Sequence, residues 1–418
     1  MARYSLEEVR DLPKAVLHLH LDGSLRSGTF LELWGGLPAA TRSGLLQALE
    51  LKPKDDRQLL SSICGSKVKE LAPGNPLGEY LKAFALTCAV MKTAPALERI
   101  AYEAALDAHL DGAVYLEVRF APFLHYVPGV LDYETIVEQV ILGLRRAESE
   151  TGMPAGVIIC GLRNYVPVAA TQELERLMAC PISPSQDRSR RRFAAKFFMM
   201  EMAKLTEALS HQYPEVVGFD IAGDESGHPI SDYTEAFFTV INNYIPVTAH
   251  AGEGFNVRSI EQAILFAHAT RIGHGIRLLD MDDPELKELH PDPDRCRRYI
   301  DRVLRSVVHS KIVFEICPTS NLQIVTGVDR YQDHPIEAMR ERGVRVSVNP
   351  DNTLISDTTA SKDLQIVANT FDWSEEVLMR VCRNSFSRVF YNNHSCAVEY
   401  NERKRQHLKA AEGRLRTQ

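Results

Sequence analysis

Eight short apolar or β-branched runs recur along this chain with helix-type stretches between them, and no other feature constrains the fold as much. The runs are AVLHLH (15–20), AVYLEVRF (113–120), AGVIIC (155–160), EVVGFDIA (215–222), IPVTAH (245–250), TRIGHG (270–275), IVFEIC (312–317) and VRVSVN (344–349). Strands separated by crossover helices pair in parallel. Eight such units without a dinucleotide-binding fingerprint predict an α/β fold of the (β/α)8 TIM-type barrel rather than an open doubly wound sheet. The expectation for all 418 residues is one domain, with the barrel over roughly 12–390. The stretch between the first two runs is too long for one crossover, so residues 30–110 are expected to carry extra helices. EYLKAFALTCAVMKT (79–93) is the clearest of these, with NPLG ahead of it as a start signal. After residue 373 the pattern is helical and ends in a charged tail, YNERKRQHLKAAEGRLRTQ, expected to fray.

Composition narrows the function classes. A formal charge of −7 gives no electrostatic reason for a polyanionic partner, which disfavours nucleic acid. No apolar stretch is long enough to span a bilayer, and the first residues, MARYSLEEVRDLP, lack an apolar leader core, so the cytoplasm is the expected compartment and no membrane partner is expected. Cysteines at 64, 88, 160, 180, 296, 317, 382 and 396 form no Cys-x-x-Cys pair and read as reduced thiols. The segment ACPISPSQDRSRRR (179–192) admits a phosphate-binding reading, but a solvated loop ahead of a helix is the commoner meaning of such a charge run. Oligomeric state is left open by the sequence.

Four polar words sit where runs end. His18 and His20 are two apart, so both rings leave one face of a strand, and at its C-terminal end two nitrogens can share a metal; the same pair also reads as satisfied core histidines. In HAGE (250–253) a glycine lets Glu253 return toward the strand end after His250, or the word is an ordinary loop with a solvated carboxylate. In GHG (273–275) the flanking glycines allow close approach to His274, which reads equally as a buried histidine bonded to backbone. NPDN (349–352) closes the eighth run with Asp351 and Asn352, which are also common turn formers. Together the words fall after runs one, five, six and eight, ends that converge on one face of a barrel. Histidines and carboxylates ligate first-row metals, and further Glu and His side chains transfer protons, so the combination points to a metal-assisted hydrolase. By ligand type alone iron, cobalt and manganese fit as well as zinc.

The chain resembles the adenosine deaminase family of metal-dependent hydrolases through HLHLDGSL (18–25), YLEVRFAP (115–122), GFDIAGDE (218–225), HAGE, IGHG, CPTSN (317–321) and SVNPDN (347–352), in the family's order. The resemblance implies one zinc ion per chain, held by His18, His20, His250 and Asp351. It makes Glu253, His274 and Asp351 the catalytic groups. His20, Asp22, Gly223 and Asn352 then contact the substrate, with Asp22 on a ribose hydroxyl and the Gly223 backbone on the purine. The implied reaction is hydrolytic deamination of adenosine and 2′-deoxyadenosine: zinc activates water, water attacks C6, Glu253 protonates N1, and ammonia leaves.

The last motif departs from the commonest family pattern, a pair of aspartates, in carrying Asn352 second and Pro350 ahead of Asp351, as in an Asn-containing bacterial branch. That position implies contact with purine N7, an acceptor: an aspartic acid must be protonated to donate to it, whereas an amide donates at any pH. The change leaves room for adenine or another adenine-bearing metabolite as substrate. AMP is disfavoured because no motif supplies a dedicated phosphate site. A non-catalytic nucleoside-binding relative is the alternative from a different class. The helix around Tyr80, Leu81 and Phe84 reads either as an apolar lid over the base or as a packed surface helix.

Overall fold

Each of the eight apolar runs forms a strand. In the computed structural model the described residues are 3–163 and 188–391, with Arg405, Lys409 and Gly413 beyond them. The strands are β1 (Lys14–His20), β2 (Ala113–Phe120), β3 (Ala155–Leu162), β4 (Val216–Ala222), β5 (Thr248–Ala251), β6 (Arg271–His274), β7 (Val313–Ile316) and β8 (Arg345–Val348). Their hydrogen-bonded order is β1-β2-β3-β4 and β5-β6-β7-β8, with β1–β2, β5–β6 and β6–β7 in parallel register. Helices follow each strand, which is the order of a (β/α)8 chain. No helix among the described residues is long and apolar enough to cross a membrane.

The chain divides into two compact units, one of Met1–Val157, Cys317–Asp333 and Val348–Gln418, the other of Ile158–Ile316 and His334–Ser347. In the first unit, six α-helices lie between β1 and β2, as the length of that stretch requires. The helix expected over 79–93 runs from Pro76 to Val90, and Asn75 caps it by accepting from the Gly78 amide at 3.0 Å. It stops short because Thr93 belongs to the next helix, Ala94–Leu110, whose Ala96 amide its hydroxyl accepts.

β1 shows why its histidines share a face. Ala15 and Leu17 pack with Tyr115 and Phe386, the latter on the helix Glu375–Phe386, so the alternate residues His18 and His20 leave the opposite side. The chain beyond β8 then lies along β1. Asn349 Oδ1 accepts from the amides of Leu17 at 2.8 Å and His18 at 3.2 Å. Asp351 continues the pairing: its carbonyl accepts from His20 N at 2.8 Å and its amide donates to His18 O at 3.2 Å.

In the second unit β5, β6 and β7 are four residues each and buried throughout. Their polar members are matched to one another: Glu315 on β7 pairs with Arg271 on β6 at 2.5 Å and accepts from the Thr248 hydroxyl on β5 at 3.1 Å. A Phe219–Val247 bridge links β4 to the residue ahead of β5. Arginines 188–192 belong to the helix Arg188–Gln212, which corrects their expected place in a loop; arginine is a good helix former and the polar run simply extends the first turns. Residues 179–187, Cys180, Cys396 and the tail from 392 lie outside the described residues, apart from Arg405, Lys409 and Gly413. The six described cysteines are thiols, all but Cys64 buried.

Asn349→Ala removes one acceptor from two buried main-chain amides, and leaving such donors unmatched costs about 1–3 kcal/mol each. Urea unfolding is expected to show a loss of about 2–6 kcal/mol, and a loss below half of the lower figure would mean that the β1 contact is dispensable.

Candidate active site

The ends of β1 and β8 bring three of the expected ligands together within the first unit. Nε2 of His18 lies 3.2 Å from Asp351 Oδ1, and Nε2 of His20 lies 3.5 Å from the same oxygen. One ligand atom from each falls within 4.8 Å of the others. The other carboxylate oxygen of Asp351 accepts from the Ser320 hydroxyl at 2.6 Å, on the helix Pro318–Ile324 that holds the CPTSN word. Asp351 sits at φ 63°, in the left-handed region that an aspartate adopts only at a cost. Two imidazole nitrogens and an oriented, buried carboxylate are the donors that zinc accepts, so this set fits a metal.

Past β1 the chain turns through Leu21–Gly23 and buries Asp22. Burial pushes the Asp22 carboxyl up to about 7, with the charge of Asp351 adding to the rise, while main-chain hydrogen bonds oppose it. His125 stands beside it, Nε2 at 3.9 Å from Asp22 Oδ2, and burial followed by the nearby Lys92 charge depresses that imidazole to about 3. Cys88 completes this second group of buried ligand-type side chains.

Asn352 is buried and tied to the inserted helices: its Nδ2 donates to Tyr80 Oη at 3.0 Å. Phe84, one turn along the same helix, places its ring 6.3 Å from those of Tyr80 and His20. Of the three residues expected to form an apolar lid, Tyr80 and Phe84 thus border this group, whereas Leu81 is 39% exposed.

The remaining expected residues are grouped within the second unit. His250, on β5, pairs through Nδ1 with the Asp220 carboxylate of β4 at 3.0 Å. An ionised carboxylate only accepts, so the imidazole proton sits on Nδ1 and the lone pair on Nε2, the tautomer a metal ligand needs. Its carbonyl accepts from Arg163 Nη2 at 2.6 Å. Beyond β5, Gly252 at φ 74° turns the chain and brings Glu253 back until Oε1 is 3.4 Å from His274 Nδ1. The register places Ala251 opposite His274, whose own φ is 60°.

The turn is held by Glu225. One carboxylate oxygen accepts from the amides of Glu253 and Gly254 at 2.9 Å, and the other accepts from Gly252 N at 2.8 Å. Gly223 is half-buried just beyond β4, two residues before Glu225. The sequence singled out GFDIAGDE as a word but gave Asp220 and Glu225 no task, because their partners lie 30 and 27–29 residues further on. Chemically, the second unit offers a buried carboxyl next to an imidazole, an arrangement that can deliver or withdraw a proton.

The family model for adenosine deaminase matches residues 13–183 and 191–397. A protein from Mycobacteroides abscessus named adenosine deaminase is 35% identical over 390 residues, covering 93% of either chain. Among solved structures, an amidohydrolase from Burkholderia ambifaria with bound Zn superposes with a TM-score of 0.71 at 21% identity, over 99% of this chain and 95% of that one. An adenine deaminase from Arthrobacter aurescens gives 0.65 at 21% identity, over 94% and 98%. At such identities the two structures speak to the fold alone, and the fold is theirs.

Glu225→Ala would release three turn amides at once. Hydrogen exchange at Gly252, Glu253 and Gly254 is expected to speed up at least about tenfold, the effect of losing roughly 1.4 kcal/mol of local protection. Unchanged protection there would show that the turn holds itself.

Proposed function

Since this chain belongs to the adenosine deaminase family, we propose that it is a zinc-dependent deaminase converting adenosine and 2′-deoxyadenosine to inosine and 2′-deoxyinosine with release of ammonia. That it is a hydrolytic deaminase follows from the family, and a nucleoside is the substrate we assign to it. Zinc is the family's cofactor, and His18, His20, His250 and Asp351 are the residues we assign to hold one ion per chain. When bound, the metal supplies Lewis-acid activation of the water that adds to C6.

The chain's own residues then have distinct tasks. Glu253 delivers a proton to N1, so that the ring can accept the electrons of the attacking water, while His274 beside it and Asp351 orient that water and take or stabilise the proton it gives up. Asp220 keeps His250 in its ligand tautomer, and Ser320 fixes which oxygen of Asp351 is left toward the histidines. Asp22 receives a ribose hydroxyl, the Gly223 backbone lies against the purine, and Asn352 donates to N7. Phe84 covers the base and excludes water.

The observation that carries this reading is the buried Glu253 carboxyl next to His274, on a turn whose three amides are anchored by Glu225. Scaffolding of that kind around an acid–base pair supports catalysis over mere nucleoside binding. Asn352 in place of the commoner aspartate favours a second reading, deamination of adenine or another adenine-bearing compound.

The test is ammonia release by zinc-loaded protein offered adenosine, 2′-deoxyadenosine, adenine and AMP. Turnover of both nucleosides is expected, reduced about 10²–10⁴-fold in Glu253→Gln with one zinc per chain retained. Turnover of adenine with silence on the nucleosides would transfer the assignment to the free base. Phe84→Ala is expected to raise KM for adenosine about three- to tenfold through lost ring contact while leaving zinc content alone; an unmoved KM would take Phe84 out of the site.

A further inference from the structure

We infer that Tyr80 is a specificity-positioning residue: its hydroxyl, braced by Ser356, sets the polarity of the Asn352 amide and so presents an N–H donor to N7 of the purine. This assignment rests on the proposed contact between Asn352 and N7. It adds a residue from the inserted helices to the recognition of the base, and it explains how an amide, whose two ends differ, can stand reliably where the family commonly has a carboxyl.

An asparagine amide can rotate by half a turn with little change in shape, exchanging a donor for an acceptor. One feature gives the amide its polarity, and two more hold it in place. Nδ2 of Asn352 donates to Tyr80 Oη at 3.0 Å, and Tyr80 Oη stands 2.7 Å from Ser356 Oγ. With the amide nitrogen on Oη, the phenol passes its own proton to Ser356 Oγ, so the donors run in one direction, Asn352 to Tyr80 to Ser356. Turning the amide would make Tyr80 donate to its carbonyl oxygen and would reverse the whole run.

The second feature is Gly23. A Cβ built there would stand 1.8 Å from Asn352 Oδ1 and 2.6 Å from Cγ, so the amide lies directly on a glycine that leaves it just enough room. Oδ1 is buried in that position and accepts no hydrogen bond among the described residues. The third is the seating of Tyr80 itself. A Cβ at Gly65 would come 2.5 Å from Tyr80 Cε2, and Gly65 is held by donating its amide to Ile355 O at 2.8 Å. Ser356 is fixed in turn, its amide donating to Asn352 O at 3.0 Å and its carbonyl accepting from Gln323 Nε2 at 3.1 Å. One N–H of Asn352 is thus spent on Tyr80 and the other is committed as a donor, which matches a ring nitrogen bearing a lone pair.

The experiment compares dissociation constants of inosine and 7-deazainosine, in which C–H replaces N7, on the zinc-loaded protein and on Tyr80→Phe, Asn352→Ala and the double variant. The wild type is expected to prefer inosine, and Tyr80→Phe to lose about five- to tenfold of that preference while keeping its affinity for 7-deazainosine, which also reports that the variant is folded. In the Asn352→Ala background the tyrosine change is expected to do nothing further to the ratio. A ratio unmoved by Tyr80→Phe, a loss shared equally by both ligands, or the same loss with Asn352 already removed would each overturn the assignment. Adenosine turnover by the wild type tests the parent reading separately: turnover with an unmoved ratio sinks the role of Tyr80 alone, and a wild type that is inert on nucleosides and indifferent to N7 sinks both.

Discussion

The main-chain pairing between the end of β8 and β1 is the contact on which the grouping of His18, His20 and Asp351 depends. Asp351 exchanges two backbone hydrogen bonds with His18 and His20, and the Asn349 side chain adds a second acceptor for the amides just before. Three metal-type side chains are thereby fixed by backbone rather than by loop conformation, which limits their relative movement to that of a sheet. Ser320 then removes the last rotational choice of the carboxylate. Were these side chains to hold a metal, little ordering cost would be left for binding.

The second unit solves a similar problem with a side chain. Glu225 gathers three consecutive amides of the turn after β5 and so holds a carboxyl next to an imidazole. Both units place a buried residue of the proposed site in the left-handed region, Asp351 in one and His274 in the other. Neither is a glycine, so each conformation is maintained against its own preference by what surrounds it.

The sequence exposed whatever has a local period or a short word. All eight strands could be read because buried strands are short apolar runs with helices between them. The common face of His18 and His20 was legible from spacing, and the start of the helix at Pro76 from its Asn-Pro cap. What stayed hidden depends on distant partners. Nothing near Tyr80 announces that its hydroxyl meets a residue 272 positions away, and its neighbours suggested an apolar lid instead. Asp220 and Glu225 were visible as letters in a motif, but their duties are defined by His250 and by the amides of the following turn. The arginines at 188–192 were misplaced because a charge run has no period to distinguish a helix's first turns from a loop.

The pairing of Asn349 with Leu17 spans 332 residues, and this has a consequence for the life of the protein before it is complete. At about 5–20 residues per second, synthesis takes on the order of tens of seconds between the emergence of β1 and that of its partner. For that interval the amides of Leu17, His18 and His20 lack the acceptors that Asn349 and Asp351 later provide. One edge of β1 therefore stays open until the late part of the chain has emerged, and the first strand to be made is among the last to be closed.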